Sequence, residues 1–277
     1  GASDEMDDVP AGRGIGDAAD GDGAGGSRAD AQDVDADLIE VGLIQAKRAA
    51  GIGAAESDGD AGSFLASAVN MDRFIESVIA TADAVGAQLK SMKKINISFD
   101  EWNVWYMSRY HNVEKITDIE SWPIAPRLLE DSYSVIDAVV VGNLLISLLK
   151  HADRVTSASL AQLVNVIAPI MTEPGGDSWR QTTFFPFAIT SRLARGEALE
   201  VKLESGTCQT KAYGEVRTVD TVATHDGETG QTAIFLVNRN LDAVTSVTID
   251  VRQLGAVEIT ETHTLADDDI SARNVLA

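Results

Sequence analysis

Cysteine is almost missing from this 277-residue chain: Cys208 is the only one. An internal disulfide is therefore excluded, and a reducing compartment fits best. Basic residues are scarce as well, 22 against 43 acids, and the net charge of −21 excludes the broad cationic surface that nucleic acid or an anionic membrane face requires. No apolar run reaches the roughly 20 residues needed to cross a bilayer. The longest, 138–149, is interrupted by Gly142, Asn143 and Ser147. The opening Gly-Ala-Ser-Asp-Glu has neither the basic nor the apolar region of a signal peptide, so a soluble, cytoplasmic protein is expected. The four histidines, His111, His151, His225 and His263, are scattered without a metal-ligand spacing. The glycines at 12–26 come with acids that would repel phosphate, so no metal and no cofactor is expected.

What is present divides unevenly. Residues 1–62 hold fifteen acids against four bases, a net charge of −11, with 13 of the 23 glycines and no aromatic residue. Such a segment cannot offset the entropy of ordering itself and reads as disordered or poorly packed. From Phe64 the texture changes. Leu65, Ala68, Val69, Ile75, Val78, Ile79, Ala82, Val85 and Leu89 follow helical spacing, and the alternation Ile95 to Asp100 predicts a strand. Further helices are expected over 128–151 and 182–195, with a strand over 154–160 between them. Alternating helices and strands indicate a parallel α/β sheet or barrel. Beyond Gly196 the pattern is strand-only. Runs at 219–225 and 232–238 flank an Asp-Gly-Glu-Thr-Gly turn, and 244–251 and 257–265 suggest further strands of a small antiparallel β domain, half of a sandwich.

The residues richest in chemistry are 99–106, Phe-Asp-Glu-Trp-Asn-Val-Trp-Tyr. Active sites of α/β barrels lie at the C-terminal ends of strands. Glu101 falls at such an end, with three aromatics in the next five residues. A carboxylate beside aromatic platforms suits a sugar, and glycosidases work with two carboxyls. The other reading is that Glu101 caps the following helix and the tryptophans cover the barrel mouth.

Residues 98–106 resemble the nucleophile motif of family 51 glycoside hydrolases, the intracellular α-L-arabinofuranosidases. Similar stretches lie at 63–67, 71–75, 126–131, 150–155 and 160–171, in the same order. The resemblance implies a fold of α/β class, a partial (β/α)8 TIM barrel over 1–196 followed by an antiparallel β-sandwich over 197–277. It also implies a retaining hydrolase acting on terminal arabinofuranosyl units of arabinan or arabinoxylan oligosaccharides, and a homo-oligomer, a hexamer. Glu101 would be the nucleophile, and Trp105, Asn103 and Gln162 would contact the sugar, Gln162 as a buried amide. Asp4-Glu5-Met6-Asp7 is similar to the family's acid/base motif Asn-Glu-Met-Asp, which would make Glu5 the general acid/base and place Asp4 where the family has its substrate-binding asparagine. Asp8-Val9-Pro10 stands where Gly-Pro-Trp is usual, and 53–56 read Gly-Ala-Ala-Glu in place of His-x-Tyr-Tyr. Two rivals follow: an inactive or fragmentary relative serving as a sugar-binding or oligomerisation module, and a scaffold whose acidic leader binds a partner.

Overall fold

A computed structural model describes residues 60–106, 124 and 130–276, and the backbone of 38–43. Its strands and helices fall in two regions of different character. The first is mixed. Helices α1 (Ala61–Leu65) and α2 (Ala68–Gln88) lead into strand β2 (Ile97–Trp102), then helix α3 (Val135–Lys150) and strand β3 (Val155–Leu160). β2 and β3 pair in parallel, with α3 in the connection, the helical crossover that parallel strands require. Among the described residues this is the only parallel pair; the rest of a barrel is not seen.

The second region is strand-rich. β4 (Ile170–Thr172) and β5 (Ser178–Arg180) form a hairpin before helix α4 (Phe184–Leu193). Pro186 is tolerated in α4 because it sits in the first turn, where no intrahelical acceptor awaits its missing N–H. Gly196 then turns the chain with φ +75°, and a Cβ there would lie 2.0 Å from the His225 carbonyl oxygen. Only glycine fits both conditions. Strand β6 (Glu197–Leu199) follows, then the hairpin β7 (Thr207–Thr210) and β8 (Gly214–Arg217). β9 (Val219–His225) and β10 (Thr232–Asn238) are antiparallel around the expected turn, and β6 joins them in a three-stranded sheet. β11 (Thr245–Asp250) pairs with the backbone of β1 (Leu38–Leu43).

Several expectations are corrected. Asp60, inside the acidic leader, is tied into the fold: it accepts from Gly62 N at 3.1 Å as the cap of α1 and from Lys211 N at 3.0 Å. The long helix starts at Val135, not 128, because Ser134 and Asp137 form a capping box there. The segment 257–265 is not a strand. It lies largely exposed and has no ladder partner among the described residues.

α3 organises the core because it is buried on opposite faces. Ile136, Val140, Val141, Leu144 and Leu148 pack against α1, α2 and β2 with Leu65, Met71, Ile75, Trp102 and Val104. Ile146 packs against Val222 and Val237 of β9 and β10. A helix covered on both sides needs apolar residues facing each of them, as here. Between the faces runs a polar seam. Arg239 donates to Asp220 at 2.6 Å and to Asn143 at 2.8 Å, while Asn143 donates to Asp220 at 3.0 Å, all nearly fully buried. Lys150 bridges Asp220 and Asp72, and Asp72 meets His151 at 3.1 Å. Thus α2, α3 and the β9–β10 hairpin share one network of charges.

Candidate active site

The site begins with a defect in a strand. Along β2, Ile97 and Phe99 are half-buried while Ser98 and Asp100 are exposed, so strict alternation would turn Glu101 inward and Trp102 outward. The opposite occurs. Phe99 faces Ala158 and Trp102 faces Leu160, so β2 holds one residue more than β3 across this interval. This bulge leaves Glu101 exposed next to Asp100 and buries Trp102, which is 6% exposed. Bulges re-aim side chains in this way. Here the bulge lies at the C-terminal end of a parallel strand, the end where α/β sheets hold ligands.

The strand end is then tied down from several sides. The Asn103 amide donates to Ala161 O at 2.6 Å and to Ile167 O, and its own oxygen accepts from Val104 N at 2.8 Å. Ala161 N donates to Trp102 O at 3.1 Å, so the ends of β2 and β3 lie side by side. Tyr133 OH donates to Val104 O at 2.7 Å. Gln181, fully buried, accepts from Tyr133 N and donates to Asp131 O and Ala168 O, each within 2.9 Å. Tyr106 OH donates to Asp137, and Tyr106 N donates to Asp131 at 3.1 Å. Burial raises the Asp137 carboxyl above its ordinary range, although donors from Ser134 and Tyr106 oppose it. Burial beside Asp137 likewise holds the Tyr106 hydroxyl protonated.

Against this strand end lies an open cleft of about 580 Å³ between β2 and the start of α2. Phe64, Phe74, Phe99, Trp102 and Trp105 make it aromatic, and Asn70, Arg73 and Asn103 supply polar groups. Trp102 stacks on Phe187 with centroids 6.3 Å apart, and its buried indole N–H meets no acceptor among the described residues. Aromatic faces with a few polar atoms are the lining a sugar ring uses.

Glu101, Asn103 and Trp105 are thus gathered at one strand end, and Trp105 stands 42% exposed at the cleft. Gln162 follows Ala161 at the neighbouring strand end, but it is exposed; the buried amide expected there is Gln181 instead. Asp4 and Glu5 lie outside the described residues. Among those described, no group of three or more His, Cys, Asp or Glu could hold a metal. Sequence reasoning missed Asp137, which the Ser134-x-x-Asp137 spacing announces as a cap. It also missed Gln181, which no local pattern flags. Arg73 lay within a predicted helix face and drew no attention.

A family model described as "Alpha-L-arabinofuranosidase C-terminal domain" matches residues 100–277. An intracellular exo-alpha-(1->5)-L-arabinofuranosidase from Streptomyces lividans is 56% identical over 220 residues, 79% of this chain and 33% of that protein. An exo-alpha-(1->6)-L-arabinofuranosidase from Bifidobacterium longum is 55% identical over 218 residues, 78% of this chain and 41% of that protein. A solved family 51 alpha-L-arabinofuranosidase from Bifidobacterium longum aligns with TM-score 0.62 and 46% identity over 65% of this chain and 36% of its own. The GH51 arabinofuranosidase from Xanthomonas axonopodis pv. citri, 23% identical at TM-score 0.51 over 72% of this chain and 36% of its own, shares the fold. The chain spans a third to two-fifths of the length of these curated relatives.

Proposed function

This chain belongs to the alpha-L-arabinofuranosidase C-terminal domain family, and on that footing we propose that it carries a retaining α-L-arabinofuranosidase site with Glu101 as nucleophile and Glu5 as acid/base. The observation that carries the reading is the bulge that leaves Glu101 exposed at a strand end whose next residues, Trp102, Asn103 and Trp105, line an aromatic cleft. Its substrate is a terminal non-reducing arabinofuranosyl unit on a short oligosaccharide, met inside the cell, as the names of its relatives suggest. Residues to about 196 form the part of the chain that belongs to a (β/α)8 barrel, residues 197–277 form the appended sandwich, and the assembly is a homo-oligomer.

In the proposed reaction Glu5 gives a proton to the glycosidic oxygen as Glu101 Oε attacks the anomeric carbon. The bond to the leaving alcohol breaks and an arabinosyl ester forms on Glu101. Glu5 then takes a proton from water, whose oxygen attacks the same carbon and frees both arabinose and Glu101. A retaining pair stands about 5–5.5 Å apart, which is the separation required of Glu5 and Glu101. Trp105 offers a face to the sugar, and Gln162 and Asp4 offer polar contacts. Asn103 acts by holding the two strand ends together.

The test is release of 4-nitrophenol from the aryl α-L-arabinofuranoside. Glu101→Gln is expected to lower turnover by about 10³-fold or more while the fold is kept. Equal turnover by both proteins removes Glu101 as nucleophile. A second reading, a sugar-binding module without catalysis, is favoured by residues 53–56, which read Gly-Ala-Ala-Glu in place of the family's His-x-Tyr-Tyr. Saturable arabinose binding with no turnover by the parent chain would establish it instead.

A further inference from the structure

The last described residues return to the site. Ile270 O accepts from Ile136 N at 3.1 Å and Ala272 O accepts from Val135 N at 3.0 Å, so this segment satisfies two of the free donors at the start of α3. Arg273 forms an antiparallel bridge with Ser134. Ile270, 6% exposed, enters the core cluster that contains Trp102, Val104 and Tyr133. The segment is set by its own turn: Asp269 accepts from Ser271 N and Oγ, and Ala272 N donates to Asp269 O at 2.9 Å. It therefore closes over the first turn of α3, where Asp137 accepts from Ser134 N at 2.6 Å, from Ser134 Oγ at 2.8 Å and from Tyr106 OH.

We propose that residues 270–273 are a positioning strap for the proposed nucleophile, fixing residues 103–106 behind Glu101 through the chain of contacts Arg273, Ser134, Asp137 and Tyr106. This rests on the reading of Glu101 given above. Burial outweighs the other influences and raises the Asp137 carboxyl, against the donors of Ser134 and Tyr106 and, last, the nearby charge of Arg273. The strap thereby links the distal end of the strand-rich region to the far side of the candidate site. Arg273 acts through Asp137 and Tyr106, and touches no reacting atom.

Hydrogen exchange on the intact chain, read peptide by peptide, tests the proposal alongside kinetics on the aryl arabinofuranoside. Arg273→Gln is expected to speed exchange of 103–106 about tenfold and leave β9 and β10 unchanged. Arg273→Lys, which keeps the charge, is expected to restore protection. Tyr106→Phe is expected to loosen 103–106 while 133–137 stay protected, and it serves as the test where Arg273→Gln does not fold. Where the parent turns over, Arg273→Gln is expected to lower kcat about tenfold with KM unchanged. Unchanged exchange at 103–106 in Arg273→Gln and Tyr106→Phe overturns the proposal, as does loosening spread equally over the whole molecule. A parent chain without turnover overturns the reading of Glu101 alone, because exchange still reads the strap.

Discussion

Asn103 shows how much one side chain can hold in place. Its amide bonds two carbonyls from the segment after β3, and its oxygen closes on the next backbone N–H. Resemblance marks it as a sugar contact, yet every polar atom already has a partner inside the protein. Asn103→Ala takes the amide donor from Ala161 O and leaves Ile167 O only Tyr133 OH at 3.1 Å, and a loss of about 1–3 kcal/mol is expected in denaturant unfolding. Arabinose affinity is expected to fall in the same variant, since the ends of β2 and β3 separate. An unchanged midpoint would show that water replaces the amide without cost. Gln162 and Gln181 teach a related lesson. Both are glutamines that follow a strand, and only the tertiary position of Gln181, against three backbone groups from distant segments, makes it the buried one.

At the scale of elements, the charged seam along α3 decides how the two regions stay joined. Arg239 is 4% exposed at its side chain and Asp220 is 8%. Asp220→Ala strands a buried guanidinium, and a destabilisation of about 3–5 kcal/mol is expected by thermal or chemical unfolding. The acid limb of stability has a source in Asp72. Burial would raise its carboxyl, but His151 and Lys150 outweigh that and hold it below the usual 3.8. A depressed carboxylate lends stability above its unfolded value and loses it as pH falls through the folded one. Between about pH 5 and pH 2 the melting temperature is therefore expected to drop less steeply in Asp72→Asn than in the parent. Much at this scale was legible in the sequence. The β9–β10 hairpin follows from its Asp-Gly-Glu-Thr-Gly turn, and α2 and β2 follow from their apolar periods. These signals are local. The segment 257–265 carries an equally good local pattern and forms no strand, because a strand needs a neighbour and none is offered there among the described residues.

Across the described residues, α2 leaves a long apolar face uncovered. Phe74, Val85 and Leu89 are 56, 49 and 74% exposed, and Met92 just beyond the helix is 99% exposed. An apolar face of this extent is unusual on a free surface. The curated relatives that match this chain keep more than half of their length outside the match. Val85→Lys with Leu89→Lys is expected to change unfolding free energy by no more than about 0.5 kcal/mol while lowering dye binding and self-association. A marked loss of stability would mean that these side chains are covered in solution. The acidic leader was legible only as composition. Its charge says nothing of register or pairing, so neither the strand Leu38–Leu43 nor the cap at Asp60 could be read from it.

The bulge in β2 makes the direction of Glu101 a matter of parity. One surplus residue between Phe99 and Trp102 exchanges which of two neighbours meets solvent. Deleting a single residue there would restore even alternation, turning a carboxylate into the core and an indole out of it. Adding one more would do the same from the other side, while a change of two would preserve the facing. The length of this short interval is thus under a constraint separate from the identity of its residues, one that substitution scanning would never reveal and that insertions and deletions would expose at once.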